Sequence, residues 1–124
     1  PEWLTGVLWA PVAQPDIIQD RLATYPDFPA YPEKGYFDYM GFRVSADYFQ
    51  NIGKLSPLDW ISLYKKPILI LQGEVDPIVK VEQAHLYINT RSNPNDELQV
   101  IPGGDHAFTG FERYPAQIVR FLGL

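Results

Sequence analysis

The sequence has no cysteine, and that absence removes disulfide bridges, thiolate catalysis and cysteine-ligated zinc together. It fits a cytoplasmic protein, the location expected here. Histidine is nearly as scarce: His85 and His106 have no paired spacing, so no tetrahedral metal site is expected. Runs of Lys or Arg are missing too, and with a net charge of -5 there is no basic footprint for a phosphate backbone. Nucleic acid is therefore not expected as a partner. Long hydrophobic runs are also lacking: the most apolar pieces are of the kind Ile68-Leu69-Ile70-Leu71, against the ~20 residues needed to cross a bilayer. A soluble chain with no membrane partner is the expectation. No internal repeat or low-complexity segment breaks the sequence.

What is present is the composition of a folded domain: 124 residues, 46% hydrophobic and only 20% charged, enough to bury a core. Three segments read as buried parallel strands, namely Gly6 to Ala10, Pro67 to Gln72 and Leu98 to Ile101. Their apolar residues run continuously instead of alternating, as a sheet covered on both faces requires. Between the second and third, Lys80 to Arg91 places Val81, Ala84 and Ile88 at helical spacing. A closing helix is read over Tyr114 to Leu122, with Pro115, Ile118, Val119 and Leu122 on one face. Strand, helix, strand, helix is an α/β pattern, and the crossover implies a parallel sheet.

The stretch 14–64 interrupts this rhythm with aromatics and prolines and reads as an insertion, so the expected organisation is a first core strand in 1–13, the insertion, then a core in 65–124. Pro15 to Tyr25 places Ile18, Leu22 and Tyr25 on one helical face before Pro26, Pro29 and Pro32 forbid continuation. Gly35 to Val44 fits a small hairpin around Met40-Gly41. Ser45 is placed to cap a short helix that stops at Gly53, and Ser56-Pro57 to begin another with Asp59 in its first turn. Such an insertion is expected to cover one end of the sheet as a cap.

Two loops hold the residues with chemical potential, each directly after a strand: Gly73-Glu74-Val75-Asp76-Pro77 and Gly103-Gly104-Asp105-His106. In an open α/β sheet, ligands bind at the C-terminal ends of strands. A carboxylate beside an imidazole there can fix its tautomer and stabilise the imidazolium, leaving the second ring nitrogen to take a proton from a nucleophile. Taken alone, Asp76 before Pro77 reads better as the N-cap of the following helix, and His106 as an idle loop residue. Two such residues ending successive strands, each preceded by a glycine turn and in the order acid then histidine, weaken those readings together. His85, on the edge of the apolar helix face, is assigned no chemistry.

Pro67 to Val79 resembles the strand and acid loop of α/β-hydrolases, and Ile101-Pro102-Gly103-Gly104-Asp105-His106 resembles their final strand and histidine loop. Leu8-Trp9-Ala10-Pro11-Val12 is similar to the strand before a cap insertion. Among subfamilies the likeness is greatest to cap-bearing carboxylesterases of the cinnamoyl or feruloyl esterase type, on the cap position and on Gly41-Phe42-Arg43-Val44-Ser45 before a short Phe-containing helix.

The resemblance implies that Asp76 orients His106, and that His106 serves as general base and then general acid. It implies no cofactor, and a small-molecule ester as substrate. It also implies a serine on an elbow of the form G-x-S-x-G, which the sequence does not contain: Ser45, Ser56, Ser62 and Ser92 all lack the flanking glycines. The chain, which begins with Pro1, is thus expected to be the C-terminal portion of a serine ester hydrolase, inactive alone. Its partner would be the missing N-terminal half, or a second copy joined through the bare sheet edge. The alternative is a non-catalytic binding module that kept the acid and histidine. Most of the insertion's aromatics are expected in its own small core, with Phe37, Tyr39 and Phe42 the candidates for contact with an acyl or aryl group.

Overall fold

The computed structural model describes residues 5–110 and 114–123. The chain divides into two compact units, one made of 1–13 with 57–124, the other Gln14–Ser56.

In the first unit, β1 (Gly6–Trp9), β4 (Ile68–Gly73) and β5 (Glu97–Ile101) form a parallel sheet in the order β1-β4-β5. Its register pairs Val7 with Leu69, and Gly73 with Ile101. β4 is central and buried along its whole length, as its unbroken aliphatic run requires. Its residues alternate between two clusters. Leu69 and Leu71 join Ala10, Val79, Ile101 and Phe108, with Ile118 and Phe121 packed on them. Ile68 and Ile70 join Ala13, Ala84 and Tyr87, with Leu58, Ile61 and Tyr64 packed on them. Burying each such aliphatic side chain contributes roughly 1.5–3 kcal/mol.

The helices that cover the faces differ in detail from the sequence reading. α5 (Val81–Thr90) turns inward Ala84 and Ile88 of the expected face, but also buries Gln83 and Tyr87, which that face did not include. The reason is polar: Gln83 Oε1 accepts a hydrogen bond from the Ala13 N–H at 3.0 Å, and the Tyr87 hydroxyl donates to the Val12 carbonyl at 2.9 Å. Both satisfy the backbone of the loop that leaves β1. His85 is exposed. α6 (Tyr114–Leu122) turns Ile118 and Phe121 inward, while Val119 and Leu122 are exposed; Pro115 lies outside the described side chains. α4 (Pro57–Leu63) packs Leu58 and Ile61 beside Ile68 and Ile70, within the compact unit that holds the sheet. At the N-terminal end of the sheet, buried Arg91 donates to the carbonyls of Ile61, Tyr64 and Lys66 and pairs with Asp96. Asp96 in turn accepts from the Ile68 N–H, so one ion pair ties α4 to the starts of β4 and β5.

The second unit contains α1 (Asp16–Leu22), a 3₁₀ turn (Phe28–Ala30), α2 (Tyr31–Lys34), the antiparallel hairpin β2 (Tyr36–Tyr39) and β3 (Phe42–Ser45), and α3 (Ala46–Ile52). The hairpin closes through Met40 and Gly41, both with positive φ (51° and 87°), and Asp38 accepts from the Gly41 N–H at 3.1 Å. Ser45 caps α3 by accepting from the Asp47 N–H. Leu22, Phe28, Phe37 and Phe49 form the interior. Among the described residues no helix is long and apolar enough to cross a membrane.

Candidate active site

The acid loop follows β4 and the histidine loop follows β5, so both leave the same rim of the sheet. Their backbones are clasped together. The Glu74 N–H donates to the Ile101 carbonyl and the Val75 N–H to the Gly104 carbonyl, both at 3.0 Å. The Glu74 carboxylate accepts from the Gly103 N–H at 2.9 Å. Glycine is required at the crossing: a Cβ on Gly73 would lie 2.4 Å from the Gly104 carbonyl oxygen and 2.6 Å from that of Asp105. Backbone atoms cannot yield as a flexible side chain would, so Gly73 sets how closely the two loops approach.

That approach brings Asp76 and His106 together. His106 Nδ1 lies 2.9 Å from Asp76 Oδ2. The Asp76 side chain is wholly buried, whereas that of His106 is 41% exposed. Asp76 Oδ1 accepts from the N–H groups of Ile78 (2.7 Å) and Val79 (2.8 Å), and Oδ2 also receives the Gln72 side-chain amide at 3.2 Å. Burial pushes the Asp76 carboxyl up, but the Val79 N–H, His106 and the Ile78 N–H outweigh it and hold the group below the usual carboxylate value. An ionised Asp76 can only accept, so the neutral imidazole carries its proton on Nδ1. Nε2 then presents a lone pair, with no hydrogen-bond partner among the described residues.

The segment beyond His106 is held as firmly as the one before it. Asp105 accepts from the Thr109 N–H at 2.9 Å, and bonding to the Thr109 backbone, then its hydroxyl, keeps the Asp105 carboxyl below its ordinary value against the effect of burial. Phe108 is buried in the Leu69 and Leu71 cluster with a positive φ of 54°, its ring edge-on to Trp9 at 5.2 Å. The loop is pinned on both sides of the imidazole. Such a buried carboxylate, oriented imidazole and free Nε2 can move a proton to and from a hydroxyl brought to Nε2.

No protein-family model and no curated protein matches the sequence. Solved structures do match. Est1E from Butyrivibrio proteoclasticus, in a structure with bound ferulic acid, superposes with a TM-score of 0.77 at 21% identity, covering 97% of this chain and 48% of that one. An esterase from Pyrococcus furiosus gives a TM-score of 0.64 at 23% identity, over 98% of this chain and 44% of that one. The mouse alpha/beta hydrolase domain-containing protein 10 gives 0.66 at 16% identity, over 97% and 51%. This is the α/β-hydrolase fold. The chain spans about half the length of these structures and corresponds to a C-terminal part of that fold.

Within this α/β-hydrolase sheet, Asp76 and His106 are brought together from residues 30 positions apart. The reading of Asp76 as the N-cap of the following helix does not hold, because the N-cap of α5 is Lys80; Oδ1 instead ties down the preceding turn through Ile78 and Val79, while Oδ2 faces the imidazole. The three aromatics expected to meet substrate part company. Phe37 is 2% exposed inside the inserted unit's own cluster, which leaves its ring no free face for a ligand. Tyr39 packs against the same cluster, and Phe42 is 74% exposed. Of the serines, Ser62 donates to the Asp59 carbonyl and Ser45 caps α3. No hydroxyl among the described residues hydrogen-bonds His106, and none of their His, Asp and Glu side chains group in threes suited to a metal ion.

Sequence reasoning missed Gln72 and Glu74. The signal for Gln72 was a single amide at the end of an otherwise aliphatic strand. Glu74 gave none, since an exposed glutamate in a loop reads as solvated surface until its bond to Gly103 is seen.

Proposed function

We propose that this chain is the C-terminal portion of a serine-type hydrolase of carboxylic esters, with Asp76 and His106 as the acid and the base of its triad. The observation that carries the reading is the 2.9 Å contact between His106 Nδ1 and a buried Asp76 oxygen, which leaves Nε2 directed away from the pair. In the proposed mechanism, Nε2 takes the proton of a serine hydroxyl as it attacks the ester carbonyl, Asp76 stabilises the imidazolium, and Nε2 returns the proton to the leaving alkoxide. The serine and the donors for the oxyanion belong to an upstream half, so the chain alone is expected to be inactive. The likeness to esterases supports an ester as substrate. Of the three aromatics, Phe42 is the one whose ring is exposed.

The test is hydrolysis of a short-chain nitrophenyl ester by this chain and by a protein that also carries the upstream half. Activity is expected only in the longer protein, and His106→Ala should lower it on the order of 10⁴-fold or more. A longer protein indifferent to His106→Ala would remove the pair from catalysis. Turnover by the short chain would place a nucleophile within it. Binding of aromatic acids by the short chain, with no turnover by either protein, would favour a binding module.

The same reading gives β1 a partner. β1 pairs only with β4, so its other edge has unpaired N–H and carbonyl groups among the described residues. The upstream half would cover that edge, and in its absence a second copy is expected to. The isolated chain should therefore run as a dimer or larger at micromolar concentration; a clean monomer by light scattering would count against this.

A further inference from the structure

Gln72 is the next-to-last residue of the buried strand Ile68–Gly73 and is itself fully buried. Its Nε2 faces three oxygens: the Val79 carbonyl at 2.8 Å, Asp76 Oδ2 at 3.2 Å and the Gly73 carbonyl at 3.3 Å. All three are acceptors, which fixes the amide orientation, because the reversed amide would set its own oxygen against them. The consequence is that Oε1 is buried with no donor among the described residues. An orphaned buried acceptor costs stability, and an apolar side chain of similar length would fill this strand position without one. Nothing in the packing of Ile68 and Ile70 calls for an amide. What glutamine supplies that methionine would not is the Nε2 donor.

The carboxylate needs that donor for a geometric reason. Two backbone N–H groups hold Asp76 Oδ1, but a carboxylate held by one oxygen can still swing about it. The contact between Oδ2 and His106 is the one whose geometry has to be set, so an independent donor is needed to fix Oδ2. We infer that Gln72 is a positioning residue: its amide, seated between Asp76 Oδ2 and the Val79 carbonyl, sets the plane of the carboxylate toward the imidazole of His106. It touches neither substrate nor reacting atoms. The inference rests on Asp76 and His106 acting as a pair, and the test separates the two claims.

The readout is the tautomer of the neutral imidazole, measured in the ¹⁵N-labelled chain from the Nδ1 and Nε2 shifts of His106. The wild type should be mainly Nδ1–H. In Asp76→Asn, the Ile78 and Val79 N–H groups claim the amide oxygen, so the NH₂ faces His106 and the imidazole should change to Nε2–H. If that variant leaves the tautomer unchanged, the pair itself is refuted. If it responds, Gln72→Met should raise the ratio of Nε2–H to Nδ1–H by roughly fivefold, the size expected from one ordinary hydrogen bond. A ratio that stays or falls in Gln72→Met overturns the positioning role, whatever the variant's thermal stability. Should Gln72→Met fail to fold, the wild type still decides: the Gln72 side-chain amide protons should shift as Asp76 is protonated. If they do not, the inference is overturned.

Discussion

Around the sheet, the most deeply buried apolar side chains are aliphatic and sit on a strand, Ile68 through Leu71; in Gln14–Ser56 the largest buried side chains are the aromatic Phe28, Phe37 and Phe49, which sit on a short turn, a hairpin and a short helix. Phe28, Phe37 and Phe49 meet edge-on or tilted, with centroids 5.2–6.2 Å apart, and Tyr25 and Tyr31 close the cluster. Each ring buries far more area than a Leu, which lets a segment with only one two-stranded ribbon form an interior. The parallel sheet has less need of large side chains and gains a different property. Its evenly paired backbones carry two loops to one rim, where backbone contacts at Gly73 and Gly104 set the position of Asp76 and His106. One unit is specified by ring volume, the other by backbone approach.

If that contrast is right, the largest effect should come from removing a ring. Phe37→Ala should destabilise the inserted unit by about 3–5 kcal/mol, as large-to-small changes of buried aromatics do. Phe42→Ala, on the same hairpin but 74% exposed, should change it by less than about 0.5 kcal/mol. Amide hydrogen exchange across residues 14–56 would measure both, and similar losses in the two variants would break the comparison.

Adding a single methyl group at the sheet rim comes next. Gly73→Ala places a Cβ 2.4 Å from the Gly104 oxygen, so the loops must separate, at about 1–3 kcal/mol for an overpacked site. The effect should be read at His106, as loss of its Nδ1–H tautomer together with faster exchange at the Val75 N–H. A variant that keeps both would show that the backbone clasp is not what sets the pair.

A smaller effect separates the sheet unit by charge. The folded Asp76 carboxyl lies below its ordinary value of about 3.9, so the stability it contributes is complete above that value and lost as the pH falls through the folded one. Urea unfolding of the sheet unit should therefore weaken below about pH 4, and the Asp76→Asn chain should show a flatter dependence there. An equally steep acid loss in that variant would assign the effect to other carboxylates.

The strands were legible because a strand covered on both faces must be apolar throughout, and Ile68 to Leu71 admits no other reading. Asp76 and His106 were legible because loop, glycine and chain order all repeat at the two strand ends. The face of α5 was not, because Gln83 and Tyr87 are buried to serve the backbone at Ala13 and Val12, some 70 or more positions away in sequence. The packing of Leu58 and Ile61 was hidden in the same manner, since they lie in the stretch 14–64 read as an insertion and yet pack beside Ile68 and Ile70. Phe37 and Phe42 could not be told apart by composition, since position along the hairpin, and not residue type, decides which ring is enclosed. Periodicity reports which faces are apolar; it carries no record of a distant backbone group in need of a partner.

The smallest effect tests the inserted unit where it is specified by backbone after all. The hairpin turn at Met40 and Gly41 needs positive φ at both residues, and Met40 adopts 51° with a side chain 77% exposed. A non-glycine residue in that region costs about 1–2 kcal/mol, less for asparagine, whose short amide tolerates it. Met40 has no packing to lose in exchange. Met40→Asn should therefore stabilise the 14–56 unit by about 0.5–1 kcal/mol, seen as slower exchange of the Phe37 and Val44 amides on the paired strands. If Met40→Asn destabilises instead, the exposed methionine has a contact that matters to the hairpin, and ring volume is not the only side-chain property that holds this unit together.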